Sequence, residues 1–178
     1  MSDSLRNIVY VGHVKPKKGI FEIIEAARME EDIRFHLVGP VSDEIEKTAV
    51  PKNILLYGRK NHDEAMEIMK KGDAFLFPSY TEGFSMVMLE AMATGLPIIA
   101  TDVGSNADMI ESEGGVIIKT QSGNDIVRAI ESIRSKKVRA KMSEWNLHKV
   151  ESSFRDDAVF KQIQEVYHEI CVSDLESD

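Results

Sequence analysis

The chain has 178 residues, 43% hydrophobic and 29% charged, which suits one globular domain long enough to bury a core. Its formal charge of −8 argues against broad contact with nucleic acid or an anionic membrane, since both select a dominant basic face. The single cysteine, Cys171, excludes an internal disulfide and thiolate-rich metal sites and fits a reducing cytoplasm.

In chain order, apolar and amphipathic runs alternate. Ile8 to Val11 predicts a buried strand, followed by Gly12 to Gly19 (GHVKPKKG) as a loop. Ile20 to Arg28 has helical spacing through Ile20, Ile23, Ile24 and Ala27. Phe35 to Val38 predicts a second strand, closed by Gly39-Pro40. A short polar helix from about Ser42 to Ala49 leads past Pro51 to a third strand, Ile54 to Tyr57. Gly58-Arg59-Lys60-Asn61-His62 reads as a loop, and Asp63 suits a helix start with Ala65, Met66 and Met69 on one face. Ala74 to Phe77 is the fourth strand. A polar turn, Ser79 to Gly83, precedes a helix from Phe84 to Thr94 that stops at Gly95, and Pro97 opens a fifth strand, Ile98 to Ala100. Gly115 to Ile118 is the sixth. Two or three helices close the chain, the first marked by Ile126, Ala129, Ile130 and Ile133, the last by Phe160, Ile163, Val166, Tyr167 and Ile170. The tail from Ser173 to Asp178 is expected to fray. No apolar run reaches the ~18 to 20 residues that span a bilayer, and the Met-Ser-Asp start lacks a basic-then-apolar signal.

Strands alternating with helices predict the α/β class: a doubly wound, Rossmann-like parallel sheet with right-handed crossovers, in a single domain over residues 1–178. Ligands of such sheets sit beyond the strand C-terminal ends. The candidate site residues therefore come from five loops, His13 to Gly19, Gly39-Pro40, Gly58 to His62, Ser79 to Ser85 and Thr101 to Asn106. Glycine occurs in each, which for any one loop alone is ordinary turn chemistry.

Glu90 stands out. Its helix is apolar nearly all round (Met86, Val87, Met88, Leu89, Ala91, Met92, Ala93), which predicts burial, and a buried carboxylate needs a partner. Glu82 lies eight positions earlier, in the turn that feeds the same helix. Gly83, Phe84 and Ser85 open that helix, so their backbone N–H groups are available to an anion or to hydroxyl oxygens. Lys15, Lys17 and Lys18 bring positive charge to the first loop of an acidic protein. A lysine on one side and a helix N-terminus on the other would fit two phosphates of a nucleotide, and Glu90 would then be placed to accept both hydroxyls of a ribose. Other readings stand beside these: a solvated basic loop, Glu82 as a helix-dipole partner, and Glu90 paired within the core. No G-x-G-x-x-G follows the first strand and no G-x-x-x-x-G-K-[ST] occurs, so dehydrogenase and P-loop readings are poor.

EGFSMVMLEAMATGLPIIATDVGS resembles the E-x7-E region of retaining glycosyltransferases of the GT-B fold, in the large group called glycosyltransferase family 4. YVGHVKPKKG resembles the phosphate-loop segment of that family, HLVG and LLYGRK its next two strand ends, and GDAFLFPS the strand before the motif. The likeness runs in order over roughly residues 7 to 170. It implies that Glu90 binds the ribose hydroxyls of a nucleoside diphosphate sugar, and that Glu82, with the amides of Gly83, Phe84 and Ser85, contacts the sugar near its anomeric carbon. Lys18 matches the lysine that neutralises the diphosphate. Its usual partner, an arginine five residues earlier, is His13 here. The base is expected near Arg59, Lys60 and His62. Asp108 stands where the family often has glutamate after a Gly-Gly pair, and Gly104-Ser105 breaks that pair.

The resemblance implies transfer of a hexose-type sugar with retention at the anomeric carbon, no metal and no cofactor. The five histidines (His13, His36, His62, His148 and His168) are scattered and read as structural or surface residues. Complete enzymes of the family have two such domains, and this chain resembles the C-terminal, donor-binding half. The expected partners are a nucleotide-sugar donor and a missing N-terminal acceptor domain or partner chain, toward which a terminal helix at 151–172 would dock. Membrane association would come only through that half. The isolated chain is expected to bind nucleotide and to transfer sugar weakly or not at all. The alternative is a non-catalytic nucleotide-sugar-binding subunit or assembly module. A same-fold epimerase is a chemical rival, and a receiver domain fails for want of paired acids after the first strand.

Overall fold

The apolar runs form six strands, β1 (Asn7–Val11), β2 (Arg34–Val38), β3 (Ile54–Gly58), β4 (Ala74–Phe77), β5 (Ile98–Thr101) and β6 (Gly115–Ile118). The structure is a computed structural model and describes residues 2–154. All six strands are parallel, the doubly wound Rossmann-like sheet that the alternation predicts, and the structure sets their order as β3-β2-β1-β4-β5-β6. Every residue of β4 and β5 is buried, as are Ile8, Val9 and Tyr10 of β1. Strands covered on both faces need no polar alternation, which is why these segments are continuous apolar runs. Leu55 and Leu56 on edge strand β3, and Ile117 on edge strand β6, remain exposed.

The helices are α1 (Ile20–Met29), α2 (Asp43–Glu46), α3 (His62–Met69), α4 (Met86–Ala93), α5 (Asn106–Ile110), α6 (Gly123–Ser132) and α7 (Lys136–Lys149). Helices α1 and α6 pack together, α3 packs on β1, and α7 packs on α4. Asn146 of α7 is fully buried and donates to the carbonyls of Leu96 and Gly114, 2.8 Å each, tying the segments that lead into β5 and β6. Sheet order reverses between β1 and β4, the position at which a parallel sheet of this kind opens a ligand crevice beyond the strand C-terminal ends.

Several boundaries differ from the sequence expectations. Helix α3 starts at His62, one residue early, because Asn61 caps it. Asn61 Oδ1 accepts the Glu64 N–H at 2.9 Å, and Glu64 Oε2 accepts the Asn61 N–H at 3.1 Å, a reciprocal capping box. Helix α4 starts at Met86, with Ser85 in the extended cap position, so Phe84 precedes the helix. Helix α5 takes Asn106 from the end of a predicted loop and continues to Ile110, where the sequence predicts no element. The prediction that α4 is buried all round fails. It buries Met88, Ala91 and Met92, but Met86 is 61% exposed and the Glu90 side chain 33% exposed. Its buried face meets the sheet and α7, its start is open to solvent, and methionines in both settings make the run look uniformly apolar. Of the terminal helix expected at 151–172, Glu151–Phe154 belongs to a π-helical turn (Val150–Phe154) that continues α7. The rest, including Phe160 to Ile170 and the tail, lies outside the described residues.

Candidate functional site

The β1 loop and the β4 loop are built to touch. Pro16–Lys18 forms a single 3-10 turn closed by Gly19, whose N–H donates to Pro16 O at 2.9 Å. Gly19 has φ +74, and a Cβ there would lie 2.1 Å from the Pro78 carbonyl oxygen, so only glycine lets the two loops approach this closely. The Tyr80 N–H donates to Lys17 O at 3.1 Å across the same seam. These contacts deliver Lys18 to the β4 turn. Its Nζ makes an ion pair with Glu82 Oε1 and lies 5.8 Å from the centre of the Phe77 ring. The two side chains are only 23% and 14% exposed, so their charges are partly withdrawn from water.

A third loop braces the turn from the other side. Gly104, at φ +57, approaches so closely that a Cβ would lie 2.3 Å from Gly83 O. Ser105 donates to the same oxygen from its N–H at 3.1 Å and its hydroxyl at 3.2 Å. The buried Thr101 hydroxyl donates to Ser79 O at 2.5 Å, and the buried Asn106 amide to Thr101 O at 3.1 Å. Below the crevice, the Tyr10 hydroxyl donates to His13 O at 2.8 Å; burial pushes its pKa well above the usual phenol range, and the Glu82 charge adds to the shift. Tyr80 donates to Glu22 at 2.6 Å, and desolvation with that bond pushes its hydroxyl up to about 12.

Glu90 does have a partner. His62 Nε2 lies 3.1 Å from Glu90 Oε1, across a gap of 28 residues, with the imidazole 68% exposed. A carboxylate only accepts, so Nε2 carries the proton in this bond. The sequence expectation puts His62 only near the base, whereas the structure joins it to Glu90; its one sequence signal is its position next to the Asn61 cap. Arg59 and Lys60 are exposed beyond β3, with Lys60 Nζ 3.2 Å from Glu64. His13 is exposed on the β1 loop. Gly83 and Phe84 are exposed and Ser85 is buried ahead of α4. The first N–H groups of a helix have no partner within it, so the α4 N-terminus offers donors beside Glu82. Asp108 lies apart from the ion pairs, lining a hollow of about 260 Å³ with Phe84, Ser105 and Phe154.

The structure therefore brings Lys18 to Glu82 in the turn whose next residues, Gly83, Phe84 and Ser85, lead into α4, and joins Glu90 to His62 further along that helix. A groove of about 790 Å³ runs along β6 and α6, but none of its lining residues belongs to the loops after β1, β3 or β4. Among the described residues, no three His, Cys, Asp or Glu side chains are grouped to hold a metal ion, and no helix is long and apolar enough to cross a membrane.

A family model described as "Glycosyl transferases group 1" matches residues 3–146. An uncharacterized glycosyltransferase of Methanocaldococcus jannaschii is 32% identical over 91% of this chain and 48% of its own length. The chain thus spans about half the length of that curated relative. Among solved structures, the C-terminal domain of a glycosyl transferase group 1 family protein from Francisella tularensis superposes with a TM-score of 0.72 at 22% identity, over 85% of this chain and 87% of that one. Anabaena HepE, solved in complex with UDP, superposes with a TM-score of 0.77 at 20% identity, over 93% of this chain and 49% of that one.

Proposed function

The chain belongs to the glycosyl transferases group 1 family and has the fold of a GT-B half, and from that premise we propose that it is the donor-substrate domain of a retaining glycosyltransferase. On this reading it moves a hexose-type sugar from a nucleoside diphosphate sugar to an acceptor, in the cytoplasm, with no metal and no cofactor. The observation that carries the reading is a pair of carboxylates eight residues apart, each facing a cation or proton donor from a different loop: Glu82 with Lys18 and Glu90 with His62. Glu90 accepts the ribose diol. The donor's diphosphate takes Lys18 from Glu82 and rests against the amides that open α4. Glu82, so released, stands beside the sugar. Lys18 and the helix N-terminus then meet the charge that grows on the departing diphosphate, an electrostatic contribution rather than acid–base chemistry. His13, where an arginine is usual, supplies a weaker or pH-dependent second cation. The base lies toward Arg59 and Lys60, and the acceptor site comes from an N-terminal half or a partner chain.

One other reading is a nucleotide-sugar-binding subunit or assembly module that does no transfer. Titration calorimetry with nucleoside diphosphates and their sugars separates binding from its absence, and product analysis separates transfer from binding alone. The decisive test is a thermal-shift panel of UDP-, GDP- and ADP-sugars on the wild type and Glu90→Ala. One donor at a hundred times its Kd should stabilise the wild type by about 2.7 kcal/mol. Glu90→Ala should lose most of that shift. No shift with any donor, or an undiminished shift in the variant, would overturn the reading.

A further inference from the structure

We infer that His62 is a positioning residue for Glu90, holding its carboxylate where a vicinal diol can use it and so setting the preference for ribose over deoxyribose. The inference rests on the reading of Glu90 as the ribose ligand. The bond between them joins two helices that share no other ion pair among the described residues, and it links the first residue of α3 to the middle of α4. The His62 backbone is fixed by the capping box of Asn61 and Glu64, which Lys60 reinforces from the same turn. A pair this exposed adds little to folding stability, so stability is a poor account of it.

Glutamate has three side-chain torsions and loses their freedom when it grips a ligand. A carboxylate has about four acceptor positions, and His62 uses one, on Oε1. The rest of Oε1 and the whole of Oε2 stay open to two hydroxyls, with the torsional freedom already removed before the ligand arrives. Asp63, whose Oδ1 lies 3.7 Å from His62 Nδ1, flanks the imidazole on its other side.

The experiment measures Kd by calorimetry for whichever of UDP, GDP and ADP binds the 178-residue chain, and for its 2′-deoxy counterpart. The ratio of the two constants reports the diol grip. In the wild type the ribonucleotide should bind more tightly, and Glu90→Ala should bring the ratio close to one. His62→Ala should lower the ratio roughly fivefold, about the worth of one net hydrogen bond, with the melting temperature of the free protein unchanged. His62→Gln, whose amide nitrogen reaches where Nε2 stands, should restore it. His62→Ala added to Glu90→Ala should change nothing more. A wild-type ratio in His62→Ala, tighter ribonucleotide binding by that variant, or no rescue by glutamine would each overturn the inference while leaving Glu90 as the ribose ligand. A ratio that Glu90→Ala leaves intact would overturn both.

Discussion

Gly104 and Lys18 act on the same turn from opposite sides, one by geometry and one by charge. At Gly104 a methyl group would meet the Gly83 carbonyl at 2.3 Å in a backbone conformation that side chains avoid, and backbone cannot swing aside as a flexible side chain can. Gly104→Ala is expected to cost about 1–3 kcal/mol in a urea melt and to abolish the donor-induced thermal shift, because the turn carrying Glu82 must move. Lys18→Ala leaves the backbone alone and removes the cation that pairs with Glu82 among the described residues. On the proposed reading, its nucleoside diphosphate affinity should fall by about tenfold or more, with a shallower salt dependence in calorimetry. Unchanged affinity would remove Lys18 from the site. Glu90 stands out in the sequence as a carboxylate in an apolar run and Glu82 by its spacing from it, whereas Lys18 is singled out from Lys15 and Lys17 only by the family resemblance. His62 was not legible as a partner of Glu90, since the contact spans 28 residues and two elements. Its loop offers three other polar side chains of equal claim. The exposure of Glu90 was misread because composition cannot tell a helix face packed on a sheet from one that borders a crevice.

Among the elements, β2 carries a histidine whose protonation state is set by its neighbours. His36 bridges strands, with Nε2 3.1 Å from Asn7 Oδ1 of β1 and Nδ1 2.9 Å from the Tyr57 hydroxyl of β3. The amide oxygen only accepts, so Nε2 holds the proton and Nδ1 takes the phenol's, which is the neutral imidazole. Burial lowers the pKa below its ordinary 6.5, the nearby Arg34 lowers it further, and Asp73 opposes them. As pH falls through about 6.5, the unfolded chain binds a proton that the folded chain still refuses, so stability declines until the folded pKa is passed. The melting temperature of the wild type should therefore fall more between pH 7 and pH 5 than that of His36→Gln, measured side by side. Parallel declines would assign the acid sensitivity to other groups. The strands themselves were readable because the middle of β1 and all of β4 and β5 are buried, and these segments are apolar but for Thr101 at the end of β5. Helix α5 was missed because five residues hold too little periodicity to register. The start of α4 was set two residues early because Phe84 has the spacing of a helix residue. In the structure it is 52% exposed, with its ring 6.0 Å from that of Phe154.

For the whole molecule, the proposal turns on what one wall of a crevice can do. On that proposal the residues gathered here hold a donor, yet the segment entering α4 leaves Phe84 and Met86 largely exposed. The chain also spans 48% of the length of its Methanocaldococcus jannaschii relative. Transfer needs the acceptor hydroxyl within about 3–3.5 Å of the sugar carbon, an arrangement worth an effective concentration on the order of 10⁵ M or more, and it needs water kept out. A single wall supplies neither. The 178-residue chain should therefore bind the donor that stabilises it while turning over far below the ~1–10³ s⁻¹ typical of enzymes. The check is a product assay at saturating donor, run on the chain alone across candidate acceptors and again with the acceptor half supplied in trans. Donor binding with negligible product alone, and product once the second half is present, is the expected pattern. Turnover in the ordinary enzyme range by the chain alone would show that one wall suffices, and the donor-half proposal would give way to that of a complete small enzyme.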